Sequence, residues 1–110
     1  MTDRQSYEFC YDPRLKIERP VLHVDYEDLS AAEREEFEVM CQQVCSRIPI
    51  QIQAFEDAYM KRFAELEQVE EDDTFYVLLN EMNELSSCIS DLNVLFLHIE
   101  GRFLASRAHA

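Results

Sequence analysis

From Phe75 to Phe103 the chain places an apolar residue at every a and d position of a heptad repeat: Phe75, Leu78, Met82, Leu85, Ile89, Leu92, Phe96, Ile99 and Phe103. Steps of three then four put all of them along one seam of an α-helix. A helix with an uncovered apolar seam is not stable alone in water. The fold must therefore supply it with a partner helix.

One is available upstream. Ser30-Ala31-Ala32-Glu33 reads as a capping box, in which the serine hydroxyl accepts from the Glu33 amide and the Glu33 carboxylate reaches back to the serine amide. Apolar residues then recur at Phe37, Cys41, Val44, Ile48, Ile52, Phe55, Tyr59, Phe63 and Leu66, a rhythm close to 3.6 per turn. Pro49 interrupts the backbone donors, but the stripe passes through it in phase, so the spacing predicts a continuous helix kinked near Pro49 rather than two helices. Glu70, Glu71, Asp72 and Asp73 oppose the negative end of a first helix and favour the start of a second, which puts the chain reversal among them. The expectation is an all-α fold, a long antiparallel helical hairpin with helices at about 31–70 and 74–107.

Residues 1–30 differ in character and are expected to form an extended N-terminal arm ahead of a helical hairpin domain at 31–110. Tyr7, Phe9 and Tyr11 alternate with polar or small residues, and Asp12-Pro13 invites a turn. A short β-hairpin between residues 6–11 and 15–18 is one arrangement open to the arm.

The second helix carries more apolar surface than one partner can cover. Val77, Leu79, Val94, Leu95 and Leu97 lie off the a/d seam, and Ser86, Ser87 and Ser90 are small enough for another helix to approach. Burying a large apolar side chain is worth about 1.5–3 kcal/mol, against a net domain stability of about 5–15 kcal/mol. Either the arm or a second subunit must cover this face. A homodimer forming a four-helix assembly is the expectation, with Val77, Leu79, Cys88, Val94, Leu95 and Leu97 at the interface.

The formal charge is -13 over 110 residues, which argues against direct nucleic-acid binding and against docking on anionic lipid. The first residues contain no apolar core of a secretory signal, and no stretch reaches the ~18 apolar residues of a membrane span. With four cysteines and no export signal, a cytoplasmic protein with reduced thiols is expected. Cys41 and Cys45 share a helix face at i, i+4, but Cys88 falls roughly 16 Å from their level in an antiparallel hairpin. No metal, no cofactor and no catalytic residue is assigned, and an enzyme is not expected.

Charge is concentrated in residues 31–73, which sum to -8. Glu35, Glu38, Glu56 and Asp57 are expected to project outward from the first helix. Between them, Val39 to Phe55 contains no acid. Within that interval Val39 and Ile50 point away from the apolar stripe, among Gln42, Gln43, Gln51 and Gln53. Apolar residues ringed by neutral polar ones, with charge outside, form the pattern of an interface centre. The sequence thus points to a small acidic adaptor, chaperone or inhibitor that binds a protein partner through a helical surface. The alternative is an acidic mimic of nucleic acid that inhibits a DNA- or RNA-binding protein. A duplex carries a charge every ~1.7 Å of axis, whereas this gap spans roughly 25 Å of helix, which weakens that alternative.

Overall fold

The computed structural model describes residues 5–104. Two strands, β1 (Tyr7–Asp12) and β2 (Ile17–Leu22), are followed by a short 3-10 turn at Tyr26–Asp28 and two long helices, α1 (Ala31–Leu66) and α2 (Asp72–Ile99). A π-helical turn at Glu100–Leu104 continues α2. The chain is mostly helical, and α1 and α2 pack along each other. Of the arrangements open to the arm, it takes the antiparallel β-hairpin, with strands at Tyr7–Asp12 and Ile17–Leu22. The second helix was expected to reach 107, and its last three residues lie outside the described ones.

The hairpin pairs Tyr7 with Leu22 through Asp12 with Ile17. Its turn is set by Asp12, whose Oδ1 accepts from the amides of Arg14 (2.9 Å) and Leu15 (3.1 Å). Those amides, with the Arg19 guanidinium at 3.2 Å, hold the Asp12 carboxyl below its ordinary pKa. Closing the turn forces Lys16 to φ 57°, the left-handed region that suits glycine or asparagine.

At the start of α1 both halves of the Ser30–Glu33 capping box are made. The helix then runs 36 residues without interruption through Pro49, consistent with a stripe that keeps phase across it. It stops at Leu66, earlier than expected. Acids Glu65, Glu67 and Glu70 crowd a C-terminus that repels them, and the last amides close tight bonds instead, Gln68 to the Glu65 carbonyl and Val69 to Leu66. The reversal is correspondingly earlier, and Asp72 and Asp73 occupy the favourable first turn of α2.

The hairpin lies across the proximal halves of both helices and shares one core with them. Leu15 and Ile17 belong to the same buried cluster as Phe37, Cys41, Ile48, Cys88, Leu92, Leu95 and Ile99. Phe37, fully buried, is the hub at the base. Its ring meets Tyr7 at 5.1 Å, Phe9 at 5.6 Å and Phe103 at 5.0 Å, so the β-hairpin, α1 and the π-turn converge on one side chain. At the distal end only two helices remain and the core thins. Phe63 and Phe75, both assigned to the seams, are exposed there at 42% and 38%.

The strained turn yields a test. Lys16→Gly removes the cost of a left-handed non-glycine residue and should raise stability by up to about 1 kcal/mol, partly offset by unfolded-state entropy. Thermal denaturation should show an increase of a few degrees. A decrease would mean that the lysine side chain makes a stabilising contact that outweighs its backbone strain.

Candidate functional site

The turn of the β-hairpin decides which surface of α2 is free. Arg14 spans the helix with its guanidinium, bonding Glu84 and Asp91 at 2.7 Å each and the Ser87 hydroxyl at 2.7 Å. Beneath it Leu15 is fully buried, and the Cys88 thiol faces the Arg14 carbonyl at 3.9 Å. Cys88 and Leu95, assigned by sequence to a subunit interface, are therefore buried within the chain, at 3% and 5% exposure. The physical reason is that α2 turns one flank of its apolar surface to α1 and another to the hairpin, so Cys88 and Leu95 are covered without a second subunit. Val77, Val94 and Leu97 stay open, and Leu79 is half-buried.

On α1, the residues expected to bind a partner are split. Val39 is 41% exposed and Ile50 is 72% exposed. Gln42, Gln43 and Gln53 are exposed and Gln51 is half-buried. Gln53 donates to Asp57 at 2.9 Å. Glu35, Glu56 and Asp57 project into solvent as expected. Glu38 does not: it is buried and accepts the Tyr26 hydroxyl, because the 3-10 turn packs on that flank of α1. It is no part of an acidic rim.

Val39 and Ile50 are eleven residues apart, roughly 16 Å along the helix, and form no common patch. Ile50 has a different neighbour. Docking of the hairpin opens a groove of about 310 Å³ between β-hairpin and α1, lined by Tyr11, Lys16, Ile17 and Glu18 on one side and Arg47, Ile50 and Gln51 on the other. Tyr11 is 62% exposed. Arg47 bonds Glu18 at 3.1 Å across the groove, and Lys16 makes no ion pair among the described residues. In a chain of net charge -13 this is a locally basic, apolar-rimmed surface. Sequence reasoning found Ile50, Gln51 and the absence of acid around them but missed Tyr11 and Lys16. The available signal was that Tyr11 continues the Tyr7–Phe9 face of the alternating strand towards the turn.

A second groove, about 620 Å³, lies between β1 and the start of α1. Its carboxylates are engaged: Glu33 takes the Ser6 hydroxyl at 2.9 Å and the capping bonds, and Glu36 takes the Tyr7 hydroxyl at 2.6 Å. Burial and the Glu36 hydrogen bond push the Tyr7 phenol up to about 12.

The cysteines are free thiols, Cys10 exposed and Cys41, Cys45 and Cys88 buried. Burial raises Cys41 to about 12 and Cys45 to about 11, and it also raises Cys88. Cys10 is raised as well, first by its hydrogen bond to the Glu8 carboxylate. Among the described residues no cluster of His, Cys, Asp and Glu is arranged to hold a metal ion, and no helix is long and apolar enough to cross a membrane. No protein-family model, curated protein or solved structure matches the chain.

The thiol arrangement predicts a titration. At pH 8 the native protein should release one equivalent of chromophore from a disulfide reagent such as DTNB, from Cys10, and four in denaturant. Rapid native reaction of three or more thiols would contradict the buried positions of Cys41, Cys45 and Cys88.

Proposed function

We propose that the protein works by binding another protein, as a non-enzymatic adaptor, chaperone or inhibitor, through the groove formed where the β-hairpin meets the middle of α1. The observation that carries this reading is the pairing of two highly exposed apolar side chains, Ile50 at 72% and Tyr11 at 62%, across a groove in the acid-free interval of an otherwise acidic chain. Exposed large apolar residues set beside neutral and basic groups are suited to the centre of an interface. Tyr11 brings area and a hydroxyl at low entropic cost, Ile50 brings shape, and Lys16 favours a partner segment bearing carboxylates, Arg47 being already paired with Glu18. Glu35, Glu56 and Asp57 lie along the same helix outside the groove, where charges tune approach more than residence.

The competing reading, a duplex mimic, draws on the acids themselves. It places binding on Glu35, Glu56, Asp57 and the acidic reversal at 70–73, and leaves the groove idle.

Capture from an extract of the source cells separates the two. Ile50→Glu and Tyr11→Ala should each reduce recovery of the specific partner at least tenfold without loss of helical content, since both residues are exposed. A Glu35→Gln, Glu56→Gln, Asp57→Asn variant should keep the partner, with a slower and less salt-sensitive association. If the neutralised variant loses the partner while Ile50→Glu retains it, the mimic reading holds. If all variants recover the same proteins as wild type, the groove is not the binding surface.

A further inference from the structure

The β-hairpin has two free edges, and they are not alike. His23 donates its amide to the Ser6 carbonyl at 2.8 Å, directly before the Tyr7–Leu22 pair. Hydrogen-bonded and non-bonded pairs alternate along an antiparallel ladder. Glu8 with Val21, Cys10 with Arg19 and Asp12 with Ile17 are therefore the bonded pairs of the hairpin. The amides and carbonyls of Tyr7, Phe9 and Tyr11 point the other way, off the open side of β1, and have no partner among the described residues. On β2 the outward positions are Glu18, Pro20 and Leu22, and Pro20 has no amide to offer. β2 also lies against α1. One edge is thus blunted and the other is not, since β1, Tyr-Glu-Phe-Cys-Tyr-Asp, contains neither proline nor lysine.

Beside β1 lies the groove of about 620 Å³, walled by residues 5–9 and, on one flank of α1, by Glu33, Glu36 and Met40. Tyr7, Phe9 and Met40 supply its apolar surface. Its carboxylates are held by uncharged donors, Glu33 by the Ser30 amide and the Ser6 hydroxyl, Glu36 by the Tyr7 hydroxyl. Neither forms an ion pair among the described residues. The Ser30 amide and then the Ser6 hydroxyl hold the Glu33 carboxyl below its ordinary pKa, so it is ionised at neutral pH. The groove therefore offers fixed negative charge that no cation of the described chain answers.

We infer that β1 accepts an extended basic segment of another protein as a third, antiparallel strand. Tyr7, Phe9 and Tyr11 each exchange a pair of backbone bonds with it. Residues opposite one another in a ladder share a face, and the rings of Tyr7 and Phe9 face Phe37 of α1. The residues that bond Tyr7 and Phe9 therefore turn their side chains toward α1 and the groove. A lysine or arginine there meets Glu33 and Glu36, with its stem along Tyr7, Phe9 and Met40. The intervening residues lie on the side of Glu8 and Cys10, which is exposed. Charge selects this occupant over a second copy, because β1 paired with itself would bring Glu33 and Glu36 of two chains at -13 to one interface. Such a segment is opposite in charge to the one suited to the Tyr11–Ile50 groove, and the inference does not rest on that groove.

Hydrogen exchange of the full chain, read by nuclear magnetic resonance with and without the peptide Ac-Val-Lys-Val-Lys-Val-Lys-Val-NH2, tests this. The amides of Tyr7, Phe9 and Tyr11 should exchange rapidly in the free protein and at least tenfold more slowly at saturating peptide. Those of Glu8 and Cys10, which already bond β2, should be slow in both. N-methylation of the lysines removes the donors facing β1 and should weaken binding at least tenfold. N-methylation of the two inner valines, at the same charge, should change it less than threefold. Glu33→Gln with Glu36→Gln should weaken binding at least tenfold with unchanged circular dichroism, since glutamine still fits the capping box at 33 and still accepts from Tyr7 at 36. Glu70→Gln with Glu71→Gln, an equal loss of charge at the other end of α1, should change it less than threefold. Methylated peptides that bind alike, or acid pairs that matter equally, reduce the contact to attraction between net charges and overturn the inference. So does a peptide that leaves the three amides unprotected at millimolar concentration. Protection of those amides in the free protein that grows with its concentration would put a second copy on this edge, and overturns it too.

Discussion

Leu15 occupies a hairpin turn, where side chains are ordinarily wet, yet none of its surface is exposed. It is buried because α2 has apolar flanks on two sides and α1 covers only one. The turn seats Leu15 into the core cluster that holds Cys88, Leu92 and Leu95, and Arg14 clamps it down through Glu84, Ser87 and Asp91. Removing a leucine from such a position forfeits transfer free energy and leaves a cavity, together about 2–5 kcal/mol. That is a large part of the net stability of a small domain. The three surface charges contribute less, since each is partly solvated. Their larger effect is on geometry, because they fix which face of α2 the hairpin covers.

The rest of the architecture follows from that placement. With the turn anchored on α2, β2 lies against α1 and β1 brings Tyr7 and Phe9 to Phe37, whose ring also meets Phe103 from the π-turn. The same placement creates the groove between Tyr11 and Ile50, which neither element possesses alone. It also engages Glu84 and Asp91 on the hairpin flank of α2.

Much of this was legible in the chain. The Ser30–Glu33 box located the start of α1 to the residue, the in-phase stripe carried the helix through Pro49, and the acids at 70–73 marked the start of α2, although the reversal itself falls earlier, between Leu66 and Asp72. What was not legible was long-range. No local periodicity says that Leu15 will pack with residues more than seventy positions later, so Cys88 and Leu95 read as subunit interface when they are core. Glu38 was misplaced for the same reason, since the Tyr26 hydroxyl that buries it comes from a segment with no helical phase. Of the candidate site, Ile50 was readable as an outward apolar residue on α1. Tyr11 and Lys16 were not, because their proximity to Ile50 exists only once the hairpin has docked.

The claim on which all of this depends is that the hairpin belongs to the helical core and stabilises it. Urea denaturation of Leu15→Ala followed at 222 nm, where only helix contributes appreciably, tests it most directly. The account predicts one transition, with helix unfolding brought to lower urea by an amount corresponding to about 2–5 kcal/mol. Helices that unfold at the wild-type midpoint in the variant would show that α1 and α2 stand without the hairpin, and would contradict it.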